Sequence, residues 1–120
     1  MIAKARFVLA VPDLKASAAF YRDVLGFEVK EMGDPGWRLF VKDACLIMAG
    51  ECPDAMPPGE LGDHSYFAYL TVDGIDGYFE QVKGRGARIL KPLRDEPWGM
   101  REFSVRTVDG HRIMFGAPSS

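Results

Sequence analysis

Basic residues gather into no block anywhere in this sequence, and no apolar run approaches the roughly 20 residues that a helix needs to span a bilayer. The first absence, with a net charge of −2, leaves sequence-independent binding to nucleic acid without an electrostatic basis. The second argues against insertion in a membrane. Cysteine is scarce. Cys45 and Cys52 are the only two, they form no CxxC, and they are too few for a disulfide framework. No apolar leader follows Met1-Ile2-Ala3-Lys4, so no secretory signal is visible. The expectation is a cytoplasmic protein with reduced thiols and with neither nucleic acid nor membrane as a partner.

What is present is the mix of a folded chain, 48 % hydrophobic and 27 % charged over 120 residues, enough for a single domain over 1–120 with one core. Arg6 to Val11 is a strand candidate, broken by Pro12, with Asp13 placed to cap a helix after it. Leu14, Ala18, Tyr21 and Leu25 form a helical stripe that Gly26 ends. Strands are expected at Phe27–Met32, Trp37–Lys42 and Cys45–Ala49. Gly50 to Asp63 is rich in proline, glycine and acid and reads as a linker. The pattern then restarts. Phe67–Val72 is a strand, Ile75, Tyr78, Phe79 and Val82 a helical stripe, and Ala87–Lys91 a strand. Leu93–Gly99 reads as a loop, and an Asp109-Gly110 hairpin closes the chain.

The two halves therefore read as βαβββ twice, with repeat one at about 5–50, a linker at about 51–64 and repeat two at about 65–117. Ile47-Met48-Ala49-Gly50 and Ile113-Met114-Phe115-Gly116 end them alike. Val11-Pro12-Asp13-Leu14 matches Val72-Asp73-Gly74-Ile75, and Gly26-Phe27-Glu28-Val29 matches Gly86-Ala87-Arg88-Ile89. With one helix for four strands, each sheet has one covered face and one open face. The expected fold is α+β, a cup-shaped mixed sheet with the helices outside. Alternation puts Phe7, Leu9, Val11, Ala68, Leu70, Val72, Ile113 and Phe115 under the helices. Arg6, Met48, Phe67, Tyr69 and Met114, with Arg38, Phe40 and Glu102, would then line the open side as a ligand site. Trp37 and Trp98, beside glycine and proline, either stack on a planar ligand or cover an edge or interface. Only one of Arg101 and Glu102 can face inward, and register favours Glu102. An ion pair of Glu102 with Arg6 or Arg38 is the structural alternative to ligand contact. His64 is read as a solvated loop residue and His111 as an exposed turn residue. Asp63 and His64 are a conceivable dyad with no nucleophile beside it.

Val11-Pro12-Asp13-Leu14 through Phe20-Tyr21-Arg22-Asp23-Val24-Leu25-Gly26-Phe27 resembles the opening of the vicinal-oxygen-chelate superfamily of glyoxalase I, extradiol dioxygenases and bleomycin resistance proteins. Trp98-Gly99, Arg101-Glu102-Phe103 and Asp109-Gly110 resemble the closing segment of the bleomycin resistance branch. The resemblance implies four metal-ligand positions, which fall here on Arg6, Met48, Phe67 and Met114. None is a group that a divalent ion prefers. The resemblance thus favours a homodimer without metal or other cofactor, with exchange of the N-terminal strand between subunits. Such a dimer would bind and sequester a small, partly aromatic molecule such as an antibiotic, without catalysis. The alternative it leaves is a glyoxalase- or dioxygenase-like enzyme with an atypical metal site.

Overall fold

The computed structural model describes residues 1–62 and 64–119. The chain forms two compact units, Met1–Met56 and Pro57–Ser120. In the first, β1 (Phe7–Val11) leads to α1 (Leu14–Phe20), a π-helical turn (Tyr21–Leu25), β2 (Glu28–Glu31), β3 (Trp37–Lys42) and β4 (Cys45–Glu51). In the second, a 3₁₀ turn (Pro58–Leu61) precedes β5 (Tyr66–Thr71), α2 (Ile75–Gly84), β6 (Arg88–Asp95), β7 (Met100–Arg106) and β8 (Arg112–Pro118). Each unit is βαβββ. The sheets run β1-β4-β3-β2 and β5-β8-β7-β6. In each, the first strand is parallel to the last and the other pairs are antiparallel.

Local chemistry explains the helix ends. Asp13, in extended backbone, accepts from Ala16 N at 3.1 Å, and Glu51 Oε2 accepts from Leu14 N at 2.9 Å, so two of the orphan N–H groups of α1 are satisfied. Gly26 ends the π turn with φ of 82°, a conformation open to glycine and costly for other residues. The turn itself breaks the simple 3.6 period and is a feature that the apolar stripe did not announce. The stripe buries Leu14, Ser17, Tyr21 and Leu25, with Ser17 in place of the expected Ala18.

The first core is built on Tyr21, stacked on Phe40 at 4.5 Å and edge-on to Phe27 at 5.4 Å. The second is a cluster of four rings: Phe103 stacks on Phe115 at 5.0 Å, and both meet Tyr78, while Phe79 meets Phe103 at 5.1 Å. Ile75, Tyr78, Phe79 and Val82 form the buried face of α2. Outside this cluster, Arg101 reaches from β7 to Asp76 at the start of α2 with two bonds of 2.8 and 3.2 Å.

The fold departs from three sequence expectations. Phe40 belongs to the helix-covered core, fully buried, so it lines no open face. Arg38 shares that side of β3, because its partner across the ladder is Ala49 and that of Phe40 is Ile47, both buried. The guanidinium of Arg38 turns back to the carbonyls of Pro35 and Trp37 at 3.2 and 2.7 Å. Also, β6 runs on to Asp95, into a stretch that reads as loop, by means of register shifts after Ile89 and after Lys91. Bulges of this kind let a strand continue where alternation fails.

Candidate functional site

The helix-free face of the second sheet carries the most organised set of polar groups. Glu102 and Ser104 on β7 pair with Gly116 and Met114 on β8, and Met114 pairs with Tyr69 on β5. Cross-strand partners share a face, so these residues stand together, opposite the aromatic core. Glu102 is 3 % exposed. Its Oε1 accepts from Lys91 Nζ at 2.8 Å, and its Oε2 accepts from the Tyr69 hydroxyl at 2.6 Å and from Trp98 Nε1 at 3.0 Å. Both oxygens are thus engaged, as a buried carboxylate requires. The two rings that it holds remain accessible, Tyr69 at 46 % and Trp98 at 63 % exposed.

Glycine makes this arrangement possible. A Cβ on Gly116 would lie 1.9 Å from the Tyr69 hydroxyl oxygen, so only glycine lets the phenol lie across β8 to reach Glu102. The first unit repeats the device with another ring, since a Cβ on Gly50 would come within 2.7 Å of the Trp37 indole.

Electrostatics reinforce the geometry. Burial works to raise the Glu102 carboxyl, but the bonds from Lys91, Tyr69 and Trp98 outweigh it and hold the group below the usual range. Loss of solvent, then the bond to Glu102 and its charge, push the Tyr69 phenol up to about 12. Lys91 also contacts Glu96 at 3.2 Å and lies over the Trp98 ring at 5.3 Å. Arg94 bonds the same Glu96 oxygen. The Arg94 bond, against a burial penalty, keeps Glu96 below its ordinary value. Lys91 is therefore the cation of Glu102, where the sequence suggested Arg6 or Arg38. Its place was hidden by the bulges in β6.

The remaining expected residues are dispersed. Phe67 falls at a register shift between Tyr66 and Ala68, and its ring meets His111 edge-on at 5.7 Å. The bulge gives to Tyr66 the place that alternation assigns to Phe67, and the Tyr66 hydroxyl bonds Ser104 Oγ at 3.1 Å. Arg6 precedes β1 and lies 4.0 Å from Met48 Sδ. His111 is half-buried rather than exposed, and burial lowers its pKa. His64 is exposed, and the proposed Asp63 partner lies outside the described residues. Lys91 and Tyr66 are what sequence reasoning missed.

The family model described as Glyoxalase/Bleomycin resistance protein/Dioxygenase superfamily matches residues 5–115. A bleomycin resistance protein of Geobacillus stearothermophilus is 31 % identical over 122 residues, 89 % of this chain and 90 % of the relative. An uncharacterized protein of Mycobacterium bovis is 27 % identical over 123 residues, 92 % of this chain and 80 % of the relative. Among solved structures, UcmS2 superposes with a TM-score of 0.79 at 18 % identity, covering 97 % of this chain and 98 % of its own. TnmS3, an antibiotic binding protein from Streptomyces sp. CB03234, gives 0.74 at 21 % identity, covering 99 % and 100 %. At these identities the two structures speak to the fold.

Proposed function

Since the chain belongs to the glyoxalase/bleomycin resistance protein/dioxygenase superfamily, we propose that it binds and sequesters a small, partly aromatic molecule, as the name of its 31 %-identical relative suggests for an antibiotic. The observation that carries this reading is the buried Glu102 holding two accessible rings, Tyr69 and Trp98, in fixed positions. Rings anchored through their polar edges present their faces to a planar ligand and lose little entropy when it arrives. Met114 beside Tyr69 adds an adaptable apolar contact. Phe67 extends the same role in this unit, and on the first unit Arg6 and Met48 offer separate contacts of their own to a small molecule.

Catalysis is left out of this reading on chemical grounds. Glu102 has both oxygens engaged and a depressed pKa, so it is a poor general base. The four positions that the family resemblance marks for metal carry Arg6, Met48, Phe67 and Met114, which offer neither imidazole nor carboxylate. Among the described residues no three or more His, Cys, Asp or Glu are gathered as a metal would need. We place the binding protein in the cytoplasm as a homodimer. An exchange of N-terminal strands would move β1, an edge strand with Phe7 and Val8 exposed.

Titration with metal-free bleomycin, followed by tryptophan fluorescence, tests the reading. The expected result is saturable change in the native protein and a loss of about tenfold in affinity, the scale for a stacked aromatic contact, in Trp98→Ala, read by calorimetry because that variant lacks the reporting indole. No change at micromolar drug would remove bleomycin as the ligand. Failure of a panel of planar aromatic compounds as well would remove the reading. Zinc, nickel, manganese or iron retained stoichiometrically after dialysis would redirect it toward catalysis.

A further inference from the structure

The helix-free face of the first sheet holds a groove of about 660 Å³, within the range of small-molecule sites. Its floor is Leu39, Val41 and Leu46, and its rim carries Lys4, Arg6 and Lys30 against one acid, Asp43. The floor is apolar for a structural reason. Phe40 and Ile47 take the helix side of β3 and β4, so their neighbours along each strand must face away from the helix. The three floor residues are half-buried, and α1 does not cover them.

The charge on the rim runs against that of the chain. The protein is acidic overall, with a net charge of −2, yet cations outnumber acids three to one around this groove. They are also poorly neutralised. Among the described residues Lys4 has no carboxylate partner, Arg6 contacts only the thioether of Met48 at 4.0 Å, and Lys30 has a loose, exposed pair with Glu28 at 3.8 Å. An apolar floor under guanidinium and ammonium groups of which only Lys30 has a carboxylate partner, the loose pair with Glu28 beside Val41, favours a ligand with an apolar body and a negative head.

We propose that this groove binds an amphipathic anion, a small apolar or aromatic molecule bearing a single acidic group such as a carboxylate. This rests on the reading above, that the helix-free faces bind small molecules, and adds the charge that this face selects. A cationic ligand meets Lys4, Arg6 and Lys30 at the same positions and is disfavoured.

The probes are 2-naphthoate and its cationic counterpart 2-naphthylmethylammonium, titrated separately into ¹⁵N-labelled protein and read by amide chemical shifts. Naphthoate is expected to shift the amides of Leu39, Val41, Ala44 and Leu46, and to bind about tenfold tighter than the ammonium. Lys4→Gln with Arg6→Gln should weaken naphthoate several-fold, as should raising the salt, because the rim is solvent-exposed. Equal or tighter binding of the ammonium would overturn the charge selection and leave small-molecule binding standing. Shifts confined to Tyr69, Trp98 and Glu102 would overturn the groove and support the aromatic pair alone. No shift with either probe would overturn the groove, and bleomycin titration would then judge the aromatic pair by itself.

Discussion

Set in register, the two units share their strand order and differ most on one face. Gly50 in β4 pairs with Trp37, and Gly116 in β8 pairs with Glu102. Leu39 and Val41 in the first unit stand where Ser104 and Arg106 stand in the second, and Leu46 stands where Arg112 does. Under the helices both units are aromatic and closed. On the helix-free faces one is apolar and the other is a network around a buried carboxylate. Even the ring over the glycine changes its source: Trp37 comes from the antiparallel neighbour β3, whereas Tyr69 comes from the parallel neighbour β5, because the β7 position beside Gly116 now holds the acid that Tyr69 binds. The lesson is that backbone and core are shared by the repeats, whereas the open faces carry separate chemistries.

The largest expected effect probes the shared half of this comparison. Phe103 touches three rings, Tyr78, Phe79 and Phe115, while Phe40 stacks on Tyr21. Truncation of a buried phenylalanine to alanine costs about 3–5 kcal/mol. Phe103→Ala should lie at the upper end and Phe40→Ala at the lower, measured by urea unfolding. An equal or greater loss at Phe40 would mean that the second core is not the better knit of the two.

Next comes the half that differs. Glu102→Ala removes the partner of a largely buried lysine and the acceptor of two donors, so a loss of about 2–3 kcal/mol is expected, the retained Lys91–Glu96 contact limiting it. Glu102→Gln keeps an acceptor oxygen and should lose about 1 kcal/mol. In both variants Trp98 fluorescence should change, since its N–H loses a charged acceptor. Unchanged fluorescence in Glu102→Ala would show that Trp98 is held by something other than this acid.

The same network fixes a pH dependence. Glu102 and Glu96 have folded pKa values below their ordinary ones. A depressed carboxyl contributes stability that is present above its unfolded value, near pH 4.3, and lost as pH falls through the folded value. Tyr69 works at the other end. Its folded value of about 12 stands above an unfolded value of about 10, so its contribution holds below about pH 10 and is lost as pH rises toward 12. In the first unit the depressed acid is Asp23, on an exposed pair with Arg22. Acid should therefore loosen the second unit first, which hydrogen exchange below pH 4 would read as earlier loss of protection in β7 and β8 than in β3 and β4. Simultaneous loss would break the comparison.

Much of this was legible in the residues. The repeat of Ile-Met-X-Gly, the Asp13 cap and the Gly26 stop come from local chemistry and are found where they were expected. β7 and β8 showed their covered faces because Phe103, Val105, Ile113 and Phe115 alternate with Glu102, Ser104, Arg112 and Met114 there. β3 misled, since Trp37, Leu39 and Val41 are more apolar than Arg38, Phe40 and Lys42, and a helix-covered face is ordinarily the more apolar one. β3 inverts that rule because Phe40, stacked on Tyr21, is its one large apolar residue on the covered side. Bulges hid Lys91 and displaced Phe67, since an extra residue in a strand has no signature in alternation.

The smallest effect concerns how the two helices begin. α1 is capped twice, by Asp13 on Ala16 N and by Glu51 on Leu14 N. α2 starts from Gly74 with φ of 66° and has no side-chain cap among the described residues. Asp13→Ala should cost about 1 kcal/mol, the usual value for a lost N-cap. Glu51→Gln keeps an acceptor for Leu14 N and removes only the attraction of its charge to the helix start, so about 0.3–0.5 kcal/mol is expected. Glu51 lies at the end of β4, next to the Gly50 that carries Trp37, and its counterpart in the second unit is Ala117. Placing Glu at 117 should therefore give nothing measurable, because the left-handed Gly74 backbone differs from the extended one of Asp13 and aims the first N–H groups of α2 elsewhere. A gain in stability from Ala117→Glu, measured by thermal unfolding, would show that the two helix starts are closer in geometry than their dihedral angles indicate.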